Sequence, residues 1–492
     1  MYRAYITRVT NIRPAENADR LNACEVFGNT TIIDKTITED DTIVYFPSDG
    51  QISVEFGEKN NLFYRKDEAG NNVGGFIDPV KRRITAIRLR GNRSDGLVLP
   101  LSCLNYCYEH GDASAEFCVG DVIEGCVNGH DICQKYIPRH QNKQNNMITN
   151  NRTRKVKVEV APLFSEHADT EQLAYNLSAF KPNDEIEITL KMHGTSQRTG
   201  YLPVFKGYKY KTRFEKWFAE GAKKYEEQNG DKMMPWDAKI YEWIMKRTAP
   251  IYDWGYVSGT RRTVLEDYEG GYYGSNAFRE VHSKKFEGKL WKGETVYYEV
   301  VGFTDTGAPI MGSCGNEKLG KEFVKQYGKE TIFSYGCDPD GGKETDFHDE
   351  NCGAPYVVKG PQSDIYVYRM TMTNEDGNVI EYDPNFMRYR CEQMGIKVVP
   401  MYTRFILDEE EIAYDTRTPG EIVRDVCEFY YDGIDPVGKT HIKEGVVVRI
   451  INRPKFTAFK YKNYSFKVLS GIAVEKMEAN GGEVSEDIAS EM

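Results

Sequence analysis

Short runs in which apolar and polar residues alternate dominate the start of this 492-residue chain. Residues 30–33, 42–46 and 83–89 each read as a strand, and the turn-forming segments 48–50 and 92–96 follow such runs. Many short strands divided by polar turns are typical of a small β-barrel. The pattern therefore predicts a barrel domain over residues 1–105.

Further along the chain, strand-like runs at residues 188–196, 297–303, 444–449 and 459–464 carry charges where a buried strand should be apolar. A carboxylate beside an apolar β-branched run is costly unless it is paired, protonated or close to a metal ion. Glu299 and Glu444 are therefore candidate functional residues. Lys460 and Lys462 would share one face of a strand, where they could clamp phosphate oxygens. For any one run alone, a strand end with its charge in solvent explains the pattern equally well.

Lys191 ends the first of these runs, just before a glycine turn. On a strand, Lys191 and His193 would project into the same cavity, and Gly194 would let the backbone approach a ligand closely. A lysine amine is nucleophilic only after it has lost its proton, which burial, a metal ion or neighbouring cations promote. A surface lysine is the alternative for this segment alone, but the other three runs favour a nucleophile.

In their order, these runs resemble the motifs of the covalent nucleotidyltransferases, the superfamily of ATP-dependent polynucleotide ligases and RNA capping enzymes. The segment Lys-x-His-Gly-Thr-Ser from Lys191 is most similar to RNA ligases, because DNA ligases and capping enzymes usually have Asp at the position of His193. The resemblance implies that Lys191, in motif I, takes AMP from ATP as a phosphoramidate. It places the remaining candidates in motif III (Glu299), motif IV (Glu444) and motif V (Lys460 and Lys462).

Two further segments resemble the same family. Residues 258–262 resemble its arginine-bearing motif, which contacts ribose or the incoming 5′-phosphate; we assign the nucleotide contact to Arg261, with Arg262 as the alternative. Tyr366 and Tyr368 share a face where the family carries an aromatic residue that stacks on adenine. We assign Tyr366, and both a role for Tyr368 and a core position remain open.

Leu190 departs from the pattern of this RNA ligase class, in which many members have Glu immediately before the nucleophile. This difference leaves the recognition of the base open at that position. Backbone groups there could contact adenine instead, a mode that tolerates any side chain.

Composition predicts about three domains and a cytoplasmic location, since no apolar run approaches the ~20 residues of a membrane helix. The eleven cysteines contain no Cys-x-x-Cys pair, which disfavours a disulfide framework or a zinc ribbon. The net charge of −11 disfavours nonspecific coating of nucleic acid, so binding should be local.

Two basic stretches are candidate nucleic-acid contacts. The first comprises Lys81, Arg82, Arg83, Arg88, Arg90 and Arg93. In the second, Lys206, Lys209, Lys211, Arg213 and Lys216 alternate with Tyr208, Tyr210, Phe214 and Trp217. Aromatic and basic residues together suit base stacking beside phosphate contacts. The alternative for the second stretch is an amphipathic helix whose aromatic residues face the core.

The fold class that we predict is α+β. Residues 17–21 resemble the first turn of tRNA-binding OB modules, and one class of RNA ligases has an OB domain before its catalytic domain, so we interpret the barrel as an OB fold. A connector over 106–155 would lead to a nucleotidyltransferase domain of the ATP-grasp-like ligase type, built on antiparallel sheets, over 156–471. We expect insertions near 212–248 and 337–362, and an acidic tail over 472–492.

The expected function is ATP-dependent joining of RNA 3′-OH and 5′-phosphate ends, through lysyl-AMP and an adenylylated RNA 5′ end. Glu299 and Glu444 would hold Mg²⁺ or Mn²⁺. The expected partner of this monomer is RNA, including a nicked duplex. A capping guanylyltransferase is less favoured, because such enzymes place an OB domain after motif V and residues 470–492 are too few for one.

An inactive nucleotidyltransferase fold that only binds nucleic acid is the other alternative, and the complete set of motif residues argues against it. The N-terminal barrel could either grip RNA or help to orient the triphosphate, in place of a C-terminal OB domain.

Overall fold

Antiparallel pairing dominates the computed structural model, which describes residues 2–70, 72–137, 159–229, 235–270, 273–341 and 360–479. The N-terminal strands are β1 (Ala4–Thr7), β2 (Thr10–Pro14), β3 (Leu21–Val26), β4 (Asn29–Asp34), β5 (Ile43–Phe46), β6 (Gly50–Ile52), β7 (Tyr64–Lys66), β8 (Asn72–Gly74), β9 (Ile87–Leu89), β10 (Asn92–Ser94), β11 (Leu97–Pro100), β12 (Val122–Ile123), β13 (Cys126–Val127), β14 (His130–Asp131) and β15 (Cys133–Lys135). Helix α1 (Val54–Lys59) and a 3₁₀ helix (Leu101–Cys107) accompany them.

The N-terminal strands form a sheet of order β11-β5-β1-β12 and a separate meander β2-β3-β4, besides short two-stranded ladders. Within the described residues, strand pairing does not close these sheets into one barrel. The many short antiparallel strands agree with the sequence pattern, and the OB fold stays a prediction.

The segment predicted as a connector begins inside this N-terminal unit. Strand β12 pairs with β1 through Ile123 and Ala4, and β15 pairs with β6 through Cys133 and Ile52. Ile123 and Ile132 are buried in the same apolar core as residues of β1 and β5. Strands of two or three residues are too short for alternation to reveal them, which is why the sequence placed the boundary earlier. The polar run 140–146 lies outside the described residues.

The strands of the following region are β16 (Glu171–Gln172), β17 (Glu185–Lys191), β18 (Thr195–Lys209), β19 (Ala249–Gly259), β20 (Val264–Leu265), β21 (Glu294–Gly302), β22 (Cys314–Gly315), β23 (Glu330–Thr331), β24 (Ser363–Thr373), β25 (Val379–Glu381), β26 (Met401–Ile406), β27 (Gly445–Ile450) and β28 (Thr457–Lys462). The helices are α2 (Arg213–Asn229), α3 (Pro235–Arg247), α4 (Ala277–Lys284), α5 (Lys321–Tyr327), α6 (Pro384–Met394), α7 (Glu409–Ala413), α8 (Pro419–Tyr430) and α9 (Tyr464–Ala479), with short 3₁₀ helices at Leu173–Tyr175, Leu177–Ala179 and Glu317–Leu319.

Two large sheets and the short β22-β23 ladder build the described part of this region. A first sheet has the order β16-β28-β27-β17-β26, and a second has the order β20-β19-β18-β21-β24-β25. The chain passes from the first sheet to the second through the short turn between Lys191 and Thr195, which joins β17 to β18. Apolar side chains of the first sheet pack with α8, and those of the second pack with α4 and α6.

Helices α2 and α3 lie within the segment 212–248, whereas residues 342–359 of the second expected insertion lie outside the described part. Helix α9 continues to Ala479, past the expected end of the domain at 471. Across the described ranges, no helix has both the length and the apolar character needed to cross a membrane.

The N-terminal unit packs directly against the two-sheet region. The ring of Tyr175 stacks on Tyr5, with centroids 4.7 Å apart, and meets Phe27 edge-on at 5.5 Å. Lys467 of α9 forms an ion pair with the buried Asp95 at 2.5 Å. The two parts of the chain therefore share an apolar and charged interface.

Three arginines of the first basic stretch make contacts within the protein, and of these Arg88 and Arg93 also keep exposed surface. Arg83 pairs with Asp49 at 3.5 Å and its side chain is 5% exposed. Arg88 donates to Leu319 O at 2.5 Å, and the Arg93 guanidinium lies 5.1 Å from the Tyr464 ring centroid. This stretch therefore helps to hold the two parts together, and fewer of its arginines are available to contact phosphate.

Candidate active site

Strand pairing brings the motif lysines onto one face of the first sheet. Lys191 pairs with Gly445 of β27, and Gly445 pairs in turn with Lys462 of β28. Lys460 lies two residues earlier on β28, and side chains two apart point to the same side. The opposite face packs into an apolar core (Ile186, Ile188, Val446, Val448, Phe459 and Tyr461). Burial of that face determines which way the lysines point.

Glu444 lies at the centre of this arrangement, with its side chain 0% exposed. Its Oε1 is 2.9 Å from Lys191 Nζ and 3.3 Å from Lys462 Nζ. Its Oε2 is 3.5 Å from His193 Nδ1. A buried carboxylate is tolerated when cations compensate for its lost hydration, and here two ammonium groups share one oxygen. The structure thus brings together four residues that the sequence singled out.

Glu299 approaches from the second sheet and is largely buried. It lies on β21, where it is paired with Ser196 of β18 on one side and Tyr366 of β24 on the other. Glu299 and Glu444 both contribute to raising the pKa of Tyr335, after burial and Asp435. Both carboxylates therefore interact electrostatically with Tyr335.

Two glycines allow the strands to come this close. A Cβ on Gly194 would lie 2.3 Å from Val300 O, and a Cβ on Gly445 would lie 2.1 Å from Tyr461 O. Gly445 also has a φ of +151°, which side chains rarely adopt. Gly194 brings the nucleophile turn against the strand of Glu299, and Gly445 brings Glu444 against β28.

Tyr335 fixes the turn from behind. Its hydroxyl accepts a hydrogen bond of 2.7 Å from the backbone N–H of His193. Burial raises its pKa well above the ordinary value, so the hydroxyl stays protonated. Its φ of +50° is unusual for a non-glycine residue, and such strain is found where surrounding structure enforces it. No sequence motif marks Tyr335, because its role depends on a contact 142 residues away.

A cavity opens between the two sheets in front of Lys191. Its lining includes the predicted residues Lys191, Arg261, Glu299 and Lys460, and also His167, Thr170, Glu187, Thr189, Leu190, Met192, Ser196, Tyr368, Met387, Val399, Val447, Arg449, Phe456 and Ala458. The cavity is therefore lined by cationic, acidic and apolar groups together.

Arg261 and Arg262 differ in position. Arg261 lines the cavity, its side chain is 8% exposed, and its Nη2 lies 2.8 Å from Asp169 Oδ1. The side chain of Arg262 is 58% exposed, and its Nη2 lies further from the same carboxylate, at 3.5 Å. Burial, together with the charges of Arg261 and Arg369, lowers the pKa of the adjacent His167 to about 3, so this imidazole is neutral at pH 7. Arg261 is thus the arginine placed to reach a ligand in the cavity.

The two tyrosines of β24 also differ. Tyr368 lines the cavity, and its hydroxyl is 2.8 Å from Ser196 Oγ. Tyr366 packs in the apolar core beside the cavity, with Lys397 Nζ 5.7 Å from its ring centroid. Burial raises the pKa of Tyr366 to about 12. Stacking on adenine by either residue stays a prediction, and Tyr368 has the better position for it.

The backbone N–H of Leu190 donates to Pro400 O at 2.8 Å. That donor is therefore committed within the protein and does not face the cavity as a base contact. Polar side chains lie nearby instead, because Glu187 and Arg449 are paired across β17 and β27 and both line the cavity. Burial lowers the pKa of Arg449, and Arg388 holds Glu187 at 2.7 Å. Glu187 precedes Lys191 by an even number of residues on one strand, so the sequence already indicated that the two side chains share a face.

The N-terminal unit contributes Lys135 at the edge of this site. Burial lowers the pKa of Lys135, and the charges of Lys462 and Arg261 lower it further, whereas Asp49 and Asp169 raise it. The charge of Lys135 therefore interacts electrostatically with those of Lys462 and Arg261. No sequence motif marks Lys135, because it lies in the segment predicted as a connector.

Gly194→Ala should destabilise the protein and displace Lys191, because the added Cβ would meet a backbone oxygen at 2.3 Å. Gly221→Ala in α2 is the matched control, since nothing lies within 4 Å of its Cβ position and alanine favours a helix. Urea denaturation should give a free energy of unfolding lower by roughly 1–3 kcal/mol for Gly194→Ala and unchanged or higher for the control. Equal stability of both variants would contradict the close approach.

No family model matches the chain, and neither does any curated protein. Among solved structures, it is similar to Naegleria gruberi RNA ligase. A variant of that enzyme with AMP and Mn has 15% identity, a TM-score of 0.48, and covers 94% of this chain and 98% of that chain. A variant with ATP and Mn has 16% identity, a TM-score of 0.47, and covers 95% and 98%. The enzyme with PPi has 15% identity, a TM-score of 0.47, and covers 94% and 97%. The likeness is too distant to assign a function, which has to come from the site residues themselves.

Proposed function

We propose that the protein is an ATP-dependent RNA ligase that joins 3′-OH and 5′-phosphate ends through a lysyl-AMP intermediate. The observation that carries this function is the buried contact of Lys191 with Glu444 and Lys462, at the mouth of a cavity that also contains Lys460 and Arg261. A lysine among further cations and a buried carboxylate suits covalent attack on a phosphoanhydride.

In the first step, Lys191 Nζ attacks the α-phosphorus of ATP, an N–P bond forms, and the bond to pyrophosphate breaks. The amine has to lose a proton first, and the ion pair with Glu444 Oε1 at 2.9 Å holds it at the site until a metal ion and the neighbouring cations favour that loss. Negative charge grows on the α-phosphate oxygens during the attack. Lys460, Lys462 and Arg261 are the cations positioned to stabilise that charge.

Glu299 and Glu444 are the residues that would hold Mg²⁺ or Mn²⁺. Both are buried carboxylates, and carboxylate oxygens suit these ions. In the described part of the chain, no group of three or more His, Cys, Asp or Glu residues could hold a metal by itself. Magnesium in ATP sites is usually bound by one or two carboxylates together with phosphate oxygens, so the donor set fits. The ion, when bound, would neutralise charge on the phosphates and favour the unprotonated amine.

The cavity beyond Lys191 suits the nucleoside part of AMP. Tyr368 could stack on adenine, and Glu187 and Arg449 provide an acceptor and donors for its polar edge. In the second step, AMP passes from Lys191 to an RNA 5′-phosphate. In the third, the 3′-hydroxyl attacks that phosphate, the new ester bond forms and AMP leaves. RNA is favoured as substrate because the motif I segment with His193 resembles that of RNA ligases.

Lys191→Ala should abolish the covalent AMP adduct but retain part of the sealing of a pre-adenylylated RNA, because the later steps do not need the nucleophile. The adduct is measured with α-labelled ATP, and separately with α-labelled GTP, after denaturing electrophoresis. Lys321→Ala, an exposed lysine of α5, is the control and should label as wild type does. A surviving adduct in Lys191→Ala would refute the nucleophile, and labelling by GTP alone would indicate a capping enzyme.

Glu299→Gln and Glu444→Gln should each lower the adenylylation rate by about 10²–10³, because each removes a preorganised charge at the reacting phosphate. Glutamine keeps the volume of the side chain, so loss of packing is minimised. Glu280→Gln, an exposed partner of Lys284, serves as the control. A rate within about threefold of wild type for either active-site variant would remove that residue from the proposed metal site.

We infer that the N-terminal unit helps to orient the triphosphate, because it packs on the two-sheet region and the charge of its Lys135 interacts with those of Lys462 and Arg261. Lys135→Met should then slow adenylylation by about tenfold or more and change the sealing of pre-adenylylated RNA by less than about threefold. Lys35→Met, exposed on the same unit, is the matched control. The reverse result, with slow sealing and normal adenylylation, would instead support an RNA-gripping role.

A further inference from the structure

The helical insertion between β18 and β19 presents aromatic side chains to solvent. Trp217 is 70% exposed, Phe214 is 61% exposed and Trp243 is 52% exposed. The rings of Phe214 and Trp217 are neighbours, with centroids 6.1 Å apart. On α2 the side chains that are buried include Glu215 and Ala219. The amphipathic-helix alternative, with these two aromatic residues in the core, is therefore wrong, and large exposed aromatic residues in a group indicate an interaction surface.

The same surface is strongly basic. Lys206, Lys209, Lys211, Arg213 and Lys216 are all exposed. The one acidic residue between positions 206 and 216 is Glu215, whose side chain is 4% exposed. It accepts hydrogen bonds from the backbone N–H groups of Lys211 and Thr212 at 2.9 and 3.1 Å. The carboxylate is thus turned inward as a helix cap. Lys216 pairs with the exposed Glu220 at 3.8 Å, so Lys206, Lys209, Lys211 and Arg213 are the cations that define this surface, in a chain with net charge −11.

We propose that this surface binds the unpaired RNA strand that flanks the ends to be joined, an inference that rests on the proposed function. We call it the aromatic-basic face and define it by Lys206, Lys209, Lys211, Arg213, Phe214 and Trp217. Bases would stack on Phe214 and Trp217 while the cations contact the phosphates. Unpaired RNA fits better than a duplex, because only unpaired bases expose their faces for stacking.

Strand β18 links the aromatic-basic face to the active site. It begins at Thr195 and Ser196, beside Glu299, and continues without a break in the chain to Lys209. At about 3.3 Å per residue, the 13 steps from Ser196 to Lys209 span at most about 43 Å. An RNA therefore has to extend well beyond the ligated ends to reach this face, so its contribution should depend on RNA length.

The experiment compares two double variants, Phe214→Ala/Trp217→Ala and Lys209→Ala/Arg213→Ala, with the wild type. Fluorescence anisotropy measures the Kd of single-stranded RNA of about 20 nucleotides at several salt concentrations, and sealing is measured with flanks of about 4 and about 20 nucleotides. Tyr414→Ala/Phe429→Ala, 92% and 81% exposed, is the aromatic control. Lys321→Ala/Lys325→Ala, exposed on α5, is the charge control. Thermal unfolding and light scattering verify fold and oligomeric state.

The aromatic variant should raise the Kd by about tenfold or more, since stacking on one base is worth about that much. The charge variant should weaken binding and flatten its salt dependence by about two released ions. Both should leave formation of the AMP adduct unchanged and impair sealing with long flanks only.

A Kd within about twofold of wild type, or an equal loss in the controls, would overturn the aromatic-basic face. A changed oligomeric state without a changed Kd would assign the surface to contacts between copies or with another protein. If the wild type forms no AMP adduct, the ligase function fails, while the RNA-binding comparison still decides this inference.

Discussion

A buried carboxylate held between two lysines organises the candidate site. Glu444 has no exposed side-chain surface, and its charge is compensated by Lys191 and Lys462, which reach the same oxygen from two different strands. Because removing one member of such a group would leave a buried charge uncompensated, the three side chains specify one another's positions. The order of β28, β27 and β17 in the first sheet, and the short turn that follows Lys191, both serve to bring these groups together.

The close approach of backbone to backbone is the second requirement. Gly194 allows the nucleophile turn to lie against β21, and Gly445 allows the start of β27 to lie against β28. The Tyr335 hydroxyl then holds the turn by accepting a hydrogen bond from the backbone N–H of His193. These contacts hold groups from both sheets within one small region, which is what attack on a phosphate requires of a nucleophile and its surrounding charges.

The N-terminal unit is part of the same arrangement. Aromatic stacking through Tyr175 and the ion pair of Lys467 with Asp95 dock it on the two-sheet region. Its last described strand ends at Lys135, whose pKa responds to charges of the site. The basic stretch of the sequence divides at this interface: the Arg83 side chain is buried, whereas Arg88 and Arg93 contact the two-sheet region and keep exposed surface.

The sequence by itself determined the α+β class, the candidate nucleophile, and the carboxylates and lysines proposed around it. The reason is that the alternation of side chains along a strand determines which residues share a face. Lys191, Lys460 and Lys462 follow from that local rule. Only the tertiary structure decided that Tyr368 rather than Tyr366 lines the cavity, that Arg261 rather than Arg262 faces it, and that Tyr335 and Lys135 contribute. The two tyrosines, like the two arginines, have the same sequence pattern, but different parts of the folded chain cover them. Such contacts join positions far apart in the chain, and the alternation of a single strand carries no information about them.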